Sequence, residues 1–248
     1  MCTVVVLIRP GHDWPLILAA NRDEMVDRPW DPPAAYWPTR PEVVAGRDRL
    51  GGGTWKGVNA RGAVATVLNR PGSLGPAPGK RSRGELPLLA LEGGTATQGA
   101  AVIAGLDAGP YRSFNMVLAD RSGAIFVRGL GHGRAEVQHL TAGVHMVTAR
   151  DPDDLASPRV ARHLPRFRRA PPPDPQDWDE WRAILGDGSG PPAAQMNVRP
   201  RGGFGTVCSS FLALSASGGS CWLFAAGPLD AAPFRPVELP SGDNGVRW

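Results

Sequence analysis

No apolar run in this chain approaches the ~18 residues that a membrane-spanning helix needs. The longest strand-like stretch near the start, "TVVVLI", is too short and lacks a basic leader, so no signal peptide is expected. Cysteine is scarce. Cys2, Cys208 and Cys221 form no CxxC pair and leave one thiol over, which argues against a disulfide framework and for a reducing compartment, hence a cytoplasmic location. The histidines His12, His132, His139, His145 and His163 form no HExxH, HxxEH or HxH spacing, so no metal site is expected. There is no GxSxG, and Ser209 and Ser210 have no His/Asp partners by spacing, which argues against a serine hydrolase. Net charge is +4, with Arg in excess, but no Lys/Arg run is interleaved with aromatics, and nucleic acid is not an expected partner.

What remains is a chain of 248 residues, 42% hydrophobic, with 32 Gly and 26 Pro. That suits one loop-rich domain over 1–248 with a sizeable core. A Pro-rich linker is read near 169–177 and a loose tail over 240–248.

"CTVVVLIR" reads as a central strand, and "LILAANRDE" as its hairpin partner, ending in a polar cluster. "MVDRPWDPPAAYWPTRPE", with five prolines, is expected to be loop and not a regular element. "GAVATVLN" alternates into a strand, "ELPLLALEGG" and "TQGAAVIAGLDAG" read as helices, and "FNMVLADRSGAIFVRGL" is a hairpin. "GVHMVTA" is a further strand. "SPRVARHLPRF" opens with Ser then Pro and reads as a basic helix. "WDEWRAILG" is a helix with Trp178, Trp181, Ile184 and Leu185 on one face, and a last hairpin follows Phe204. Strands early, in the middle and late, with helices between, fit an α+β fold of stacked antiparallel sheets flanked by helices.

Four constellations carry possible chemistry. Cys2 follows the initiator directly. If Met1 is removed, its thiol and a free α-amine of pKa near ~8 sit on one residue, nucleophile and base together. Otherwise it is an inert strand thiol. "AANRDE" places Asn21, Arg22, Asp23 and Glu24 at the strand end beside Cys2. Arg22 is placed to hold a thiolate or a substrate carboxylate and Asp23 to orient the amine, or the cluster is a solvated salt bridge. In "GGGTWKGVNARGAVATVLN", glycines 51 to 53 permit close backbone approach and Trp55 offers an aromatic wall. Asn69 either donates to an oxyanion or opens the next turn. In "RSRGEL", Arg81, Arg83 and Glu85 either close an acidic substrate site or cap the helix that follows. Met116, Met146 and Cys208 are read as core.

Taken in order, "MC", "LILAANRDE", Arg28-Pro29, "GGTWKGVNARGAVATVLN", "RGEL" and "FNMVLAD" resemble the NRDE family, which includes the eukaryotic transport-and-Golgi-organization proteins. The matches run over about the first half of the chain and weaken beyond it. The resemblance implies the N-terminal nucleophile hydrolase fold, a four-layer αββα sandwich with the nucleophile opening the first strand. By similarity to the cysteine-type acylases of that fold, Cys2 would be the nucleophile, Asn69 the oxyanion donor, and Arg22 and Asp23 the flanking pair. Asn21, Glu24, Trp55 and Arg83 would bind substrate. Such a hydrolase acts on a small-molecule amide and needs no cofactor. The alternative the family implies is a non-catalytic carrier of haem or lipid. The sequence departs from the pattern twice: Ala149-Arg150 stand where relatives often show Ser-Asn, and Val207-Cys208 where many carry a basic residue.

Overall fold

Thr3–Ile8 (β1) is buried at every position, because both of its faces are covered. Val4, Val6 and Ile8 enter one apolar cluster, Val5 and Leu7 another. The period of two is hidden in the unbroken run and becomes visible only when the two faces are separated. Leu16–Met25 (β2) repeats the pattern, with Leu16 and Leu18 on the first face and Ile17 and Ala19 on the second.

The computed structural model describes residues 2–239; the expected tail over 240–248 lies outside them. Two antiparallel sheets face each other. Gly143–Val147 (β10), β1, β2, Phe204–Leu214 (β11), Ser220–Ala225 (β12) and Arg235–Pro236 (β13) form the first, in that order. The second runs Trp30–Ala34 (β3), Val43–Asp48 (β4), Lys56–Asn59 (β5), Val64–Asn69 (β6), Phe114–Asp120 (β7), Gly123–Gly129 (β8) and Glu136–His139 (β9). Val6, Leu18, Leu212, Val64, Val117 and Trp222 fill the space between them.

Helices cover both outer faces. Glu85–Glu92 (α1) and Ala96–Gly105 (α2) pack Leu86, Leu91 and Ile103 on the seven-stranded sheet. Thr95 starts α2 with a reciprocal capping box to Gln98. Pro158–Arg169 (α3) and Asp179–Leu185 (α4) pack Leu164, Phe167, Trp181 and Ile184 on the six-stranded sheet. Ser157 caps α3 and Pro158 occupies its first turn, as the Ser-Pro pair predicts. The result is the four-layer αββα sandwich expected from the sequence.

One expectation fails. The Pro-rich stretch after Met25 contains a regular element, β3, which pairs with β4. Pro32 and Pro33 fall where the register shifts between Asp31 and Ala34, on the edge of the sheet, where a missing N–H breaks no ladder. Four strands have no counterpart in the sequence reading: β4 and β5, which flank the Gly-rich turn, and the exposed edge strands β9 and β13.

Candidate functional site

The hairpin of β1 and β2 builds the site. Thr3 pairs with Asn21, so Cys2, one residue earlier, stands beside Arg22; on the other side of β2, Cys208 pairs with Arg22. A bulge between Thr206 and Cys208, at Val207, resets the register there. Cys2, Arg22 and Cys208 therefore form one row at the end of the sandwich. From the facing sheet come Lys56 and Thr66, and Trp55 completes a cavity of about 30 Å³ that these six residues line together with Ser210 and others.

The Cys2 thiol is half-buried and donates to the Asp23 carbonyl oxygen at 3.6 Å. Burial, and then the Asp23 charge, push its pKa up, while Arg22 pulls it down. The Asp23 carboxylate is turned toward α3. It accepts from Arg159 Nη1 at 2.8 Å and from Thr206 Oγ1 at 2.7 Å, and Arg159 also donates to Thr3 Oγ1 at 2.8 Å. Arg159 is fully buried; nothing in "SPRVARHLPRF" marked it, since only the fold shows that this one arginine of a basic helix faces inward.

Arg22 is buried, with its Cζ 4.4 Å above the Trp55 ring. Its Nη2 lies 3.5 Å from both Glu24 Oε2 and Asp48 Oδ2. Asp48 accepts a shorter bond, 2.7 Å, from Arg28 Nε. Burial alone would raise the Asp48 pKa, but the Arg28 hydrogen bond and the Gly51 N–H hold it below the ordinary carboxylate value. The Gly-rich turn sets Trp55 in place. Any Cβ on Gly53 would sit 2.3 Å from the Gly84 carbonyl carbon, so only glycine allows the two backbones this close.

Of the residues singled out in the sequence, Cys2, Asn21, Arg22 and Trp55 border the cavity. The Asn21 amide is fully engaged in structure: Nδ2 donates to the Leu185 and Met196 carbonyls, and Oδ1 accepts from Ser209. Asn69 lies one residue past Leu68, which lines the cavity; Asn69 itself pairs with Phe114 and does not line it. Arg83 pins the loop before α1 by donating to Ser73 Oγ and the Ser113 carbonyl. Burial and Arg112 lower its pKa to about 10, and Cys2 and Glu24 are near enough to oppose that shift. Glu85 makes no side-chain cap on α1 and pairs with Arg81 instead. Among the described residues no cluster of His, Cys, Asp and Glu has the makings of a metal site.

Lys56 escaped the sequence reading. It is 3% exposed, and its Nζ donates to Ser210 Oγ at 2.9 Å and lies 5.2 Å from the Trp222 ring. Burial lowers its pKa to about 7, against a smaller upward pull from Cys208. The Cys208 thiol is buried, as a strand cysteine is expected to be, and that burial pushes it up to about 12; it is also a second thiol in the cavity wall. The only sequence signal for Lys56 was its place directly after Trp55, at the head of a strand.

Two solved structures share this architecture. An N-acylethanolamine-hydrolyzing acid amidase ortholog from Caenorhabditis elegans superposes with a TM-score of 0.54 at 12% identity, over 85% of this chain and 92% of that one. A variant of conjugated bile acid hydrolase from Clostridium perfringens gives 0.52 at 12%, over 100% of both. With a half-buried cysteine heading the first inner strand of an αββα sandwich, the fold is that of the N-terminal nucleophile hydrolases. Within that class the chain belongs to the Transport and Golgi organisation 2 family, whose model matches residues 1–171. The Transport and Golgi organization 2 homolog of Mus musculus is 35% identical over 112 residues, 43% of this chain. That match spans 39% of the mouse protein's length.

Proposed function

We propose that this protein is a cysteine amide hydrolase that cleaves the C–N bond of a small acylated or peptide-like substrate through a thioester on Cys2. The observation that carries the reading is the placement of the Cys2 thiol at the mouth of a cavity between the sheets, beside Arg22. The hydrogen-bonded Asp23 fixes the strand end from behind.

With Met1 removed, the α-amine of Cys2 takes the thiol proton as sulfur attacks the carbonyl carbon. The C–N bond then breaks, the proton passes to the leaving amine, and the acyl group stays on sulfur. Water hydrolyses the thioester, which releases a carboxylic acid and restores the thiol. The Arg22 guanidinium stabilises negative charge that develops beside sulfur. Asn69 remains the candidate oxyanion donor only if it turns inward from its strand end.

Cys2→Ala and Cys2→Ser are expected to lose turnover and acyl-enzyme formation. Intact mass before and after an acyl-transferring thiol probe reads Met1 removal and acylation together. Undiminished turnover in Cys2→Ala would end the hydrolase reading.

A second reading, carriage of a hydrophobic ligand, is favoured by a groove of about 800 Å³ between β3 and the segment around β13. Its described lining is Pro, Ala, Val, Phe and Leu with Arg235 and Glu238. It offers no His, Met, Cys or Tyr to a haem iron, so these residues fit an acyl chain and not haem.

A further inference from the structure

The cavity beside Cys2 is lined by two cationic side chains, Arg22 and Lys56, and among the described residues by no carboxylate. Arg22 is 6% exposed, and its Nη1 has no hydrogen-bond partner among the described residues. Glu24 and Asp48 both approach Nη2, at 3.5 Å, and leave Nη1 open. A guanidinium stays charged at any relevant pH, and an unpaired buried N–H on a charged group is costly. Lys56 enters the same cavity from the opposite sheet. It donates to the Ser210 hydroxyl, and among the described residues it has no carboxylate within ion-pair distance. A charged ammonium has three N–H donors, so two directions remain. Neither Asp nor Glu lines the cavity; Asp23 shows it only a strand end, with its carboxylate held by Arg159.

We propose that Arg22 Nη1 and Lys56 Nζ together form an anion site. It accepts the carboxylate of a small acidic substrate whose electrophilic carbon lies one or two bonds from that carboxylate, within reach of the Cys2 sulfur. A volume of about 30 Å³ is room enough for a carboxylate head. Two cations reaching one oxygen pair from different directions give charge-assisted hydrogen bonds that a neutral amide cannot match. The site deepens the hydrolase reading by naming its substrate class, but its binding chemistry does not depend on turnover.

Iodoacetate and iodoacetamide test this, because they differ only in the group the site would recognise. In both, the Cys2 thiolate displaces iodide: one C–S bond forms and one C–I bond breaks. The ratio of the two alkylation rates at Cys2, read by peptide mass spectrometry, cancels the thiolate fraction common to both reactions. In the folded wild type that ratio is expected to exceed its value in the urea-unfolded chain by about tenfold. It should fall to the unfolded value in Lys56→Met and persist in Lys56→Arg.

The ratio should also be higher near pH ~6.5 than near ~8.5, because the Lys56 ammonium gives way to the amine in that interval. Cys208, in the same wall, stays protonated throughout, but the α-amine of processed Cys2, of pKa near ~8, loses its charge in the same interval, so the pH trend is assigned to Lys56 where Lys56→Met abolishes it. The folded-to-unfolded comparison in the wild type decides the matter even where a Lys56 variant fails to fold. A wild-type ratio equal to that of the unfolded chain overturns the anion site. So does a ratio unmoved by Lys56→Met, or Cys2 unreactive toward both reagents, since then no small ion reaches the cavity. Anion preference without amide turnover keeps the site and removes the hydrolase. Turnover without anion preference does the reverse.

Discussion

At the scale of single residues, the Asp23–Arg159 pair carries the most consequence. Both side chains are buried, and the carboxylate is bonded by Arg159 and Thr206 on the helix side of β2 while the carbonyl of the same residue receives the Cys2 thiol. Removing the cation takes a charged partner from a carboxylate that is itself buried. Arg159→Met is therefore expected to lower stability by about 3–5 kcal/mol. Asp23→Asn combined with Arg159→Met should recover part of that loss, since no net charge is then stranded. Urea denaturation of the two variants against wild type measures both quantities. A loss under about 1 kcal/mol in Arg159→Met would mean the pair is solvated in a way the fold does not suggest. Arg159 does not itself line the cavity and acts through Asp23 and Thr3, so it is a positioning residue. Its loss should also alter the alkylation rate of Cys2, which a merely distant packing defect would leave alone. Cys2, Arg22 and Trp55 were legible in the sequence because their residue types are rare and clustered. Arg159 and Lys56 were not, because their roles arise from which face of a helix or strand is covered, and a basic helix or a Gly-flanked lysine looks solvated until the opposite layer is known.

At the scale of elements, the turn between β10 and α3 shows how a short polar loop fixes a strand to a helix. Asp153 has φ +60, a left-handed conformation that an Asp tolerates better than most residues. Its Oδ1 accepts from the Met146 N–H at 2.7 Å, and its Oδ2 is bonded to His145 Nδ1 at 2.8 Å and to Arg168 Nη2 at 2.9 Å. The Asp153 hydrogen bond raises the His145 pKa against the opposing effect of burial. Burial would raise the Asp153 pKa, but the His145 bond and the Met146 N–H bring it below its ordinary value. The sign follows. The raised imidazole adds stability in full below its unfolded value of ~6.5, and that part fades as pH rises through the higher folded value. The lowered carboxylate adds stability above its own unfolded value of ~3.9 and loses it as pH falls. The stability gap between wild type and His145→Gln should therefore be larger near pH ~5.5 than near ~8.5, as urea midpoints at the two values would read. An equal gap at both would show that His145 does not change charge differently on folding. The strands β1, β2, β7, β8 and β11 were legible from their apolar runs, α4 from its apolar face, and α3 from its Ser-Pro start. The edge strands β3, β9 and β13 were not. An edge needs neither buried residues nor continuous N–H donors, so prolines and polar side chains conceal it.

At the scale of the whole molecule, the two sheets share one inner core, so the strands that meet it from the centre of each sheet should be the last to open. In the six-stranded sheet β1, β2 and β11 are flanked on both sides and covered on both faces. In the seven-stranded sheet β6 and β7 hold the same position, while β3 and β9 are the free edges. Local stability follows buried contact and satisfied backbone, so amide exchange should be slowest in β1, β2 and β11 and fastest, among strands, in β3, β9 and β13. This places Cys2 at the head of the most protected strand, with its neighbour Cys208 inside the same unit. The two thiols should then part company. Cys2 reacts from the folded state because it lines the cavity and is only partly buried, whereas Cys208 reacts only when the sheet opens, so its alkylation rate should rise with urea in step with global unfolding. Hydrogen-exchange mass spectrometry and thiol alkylation across a urea series test the two halves of the statement. If β1 exchanged as early as β9, or Cys208 were alkylated as fast as Cys2 in native buffer, the sandwich would not open as one body. The geometry around Cys2 would then be held by local contacts and not by the fold.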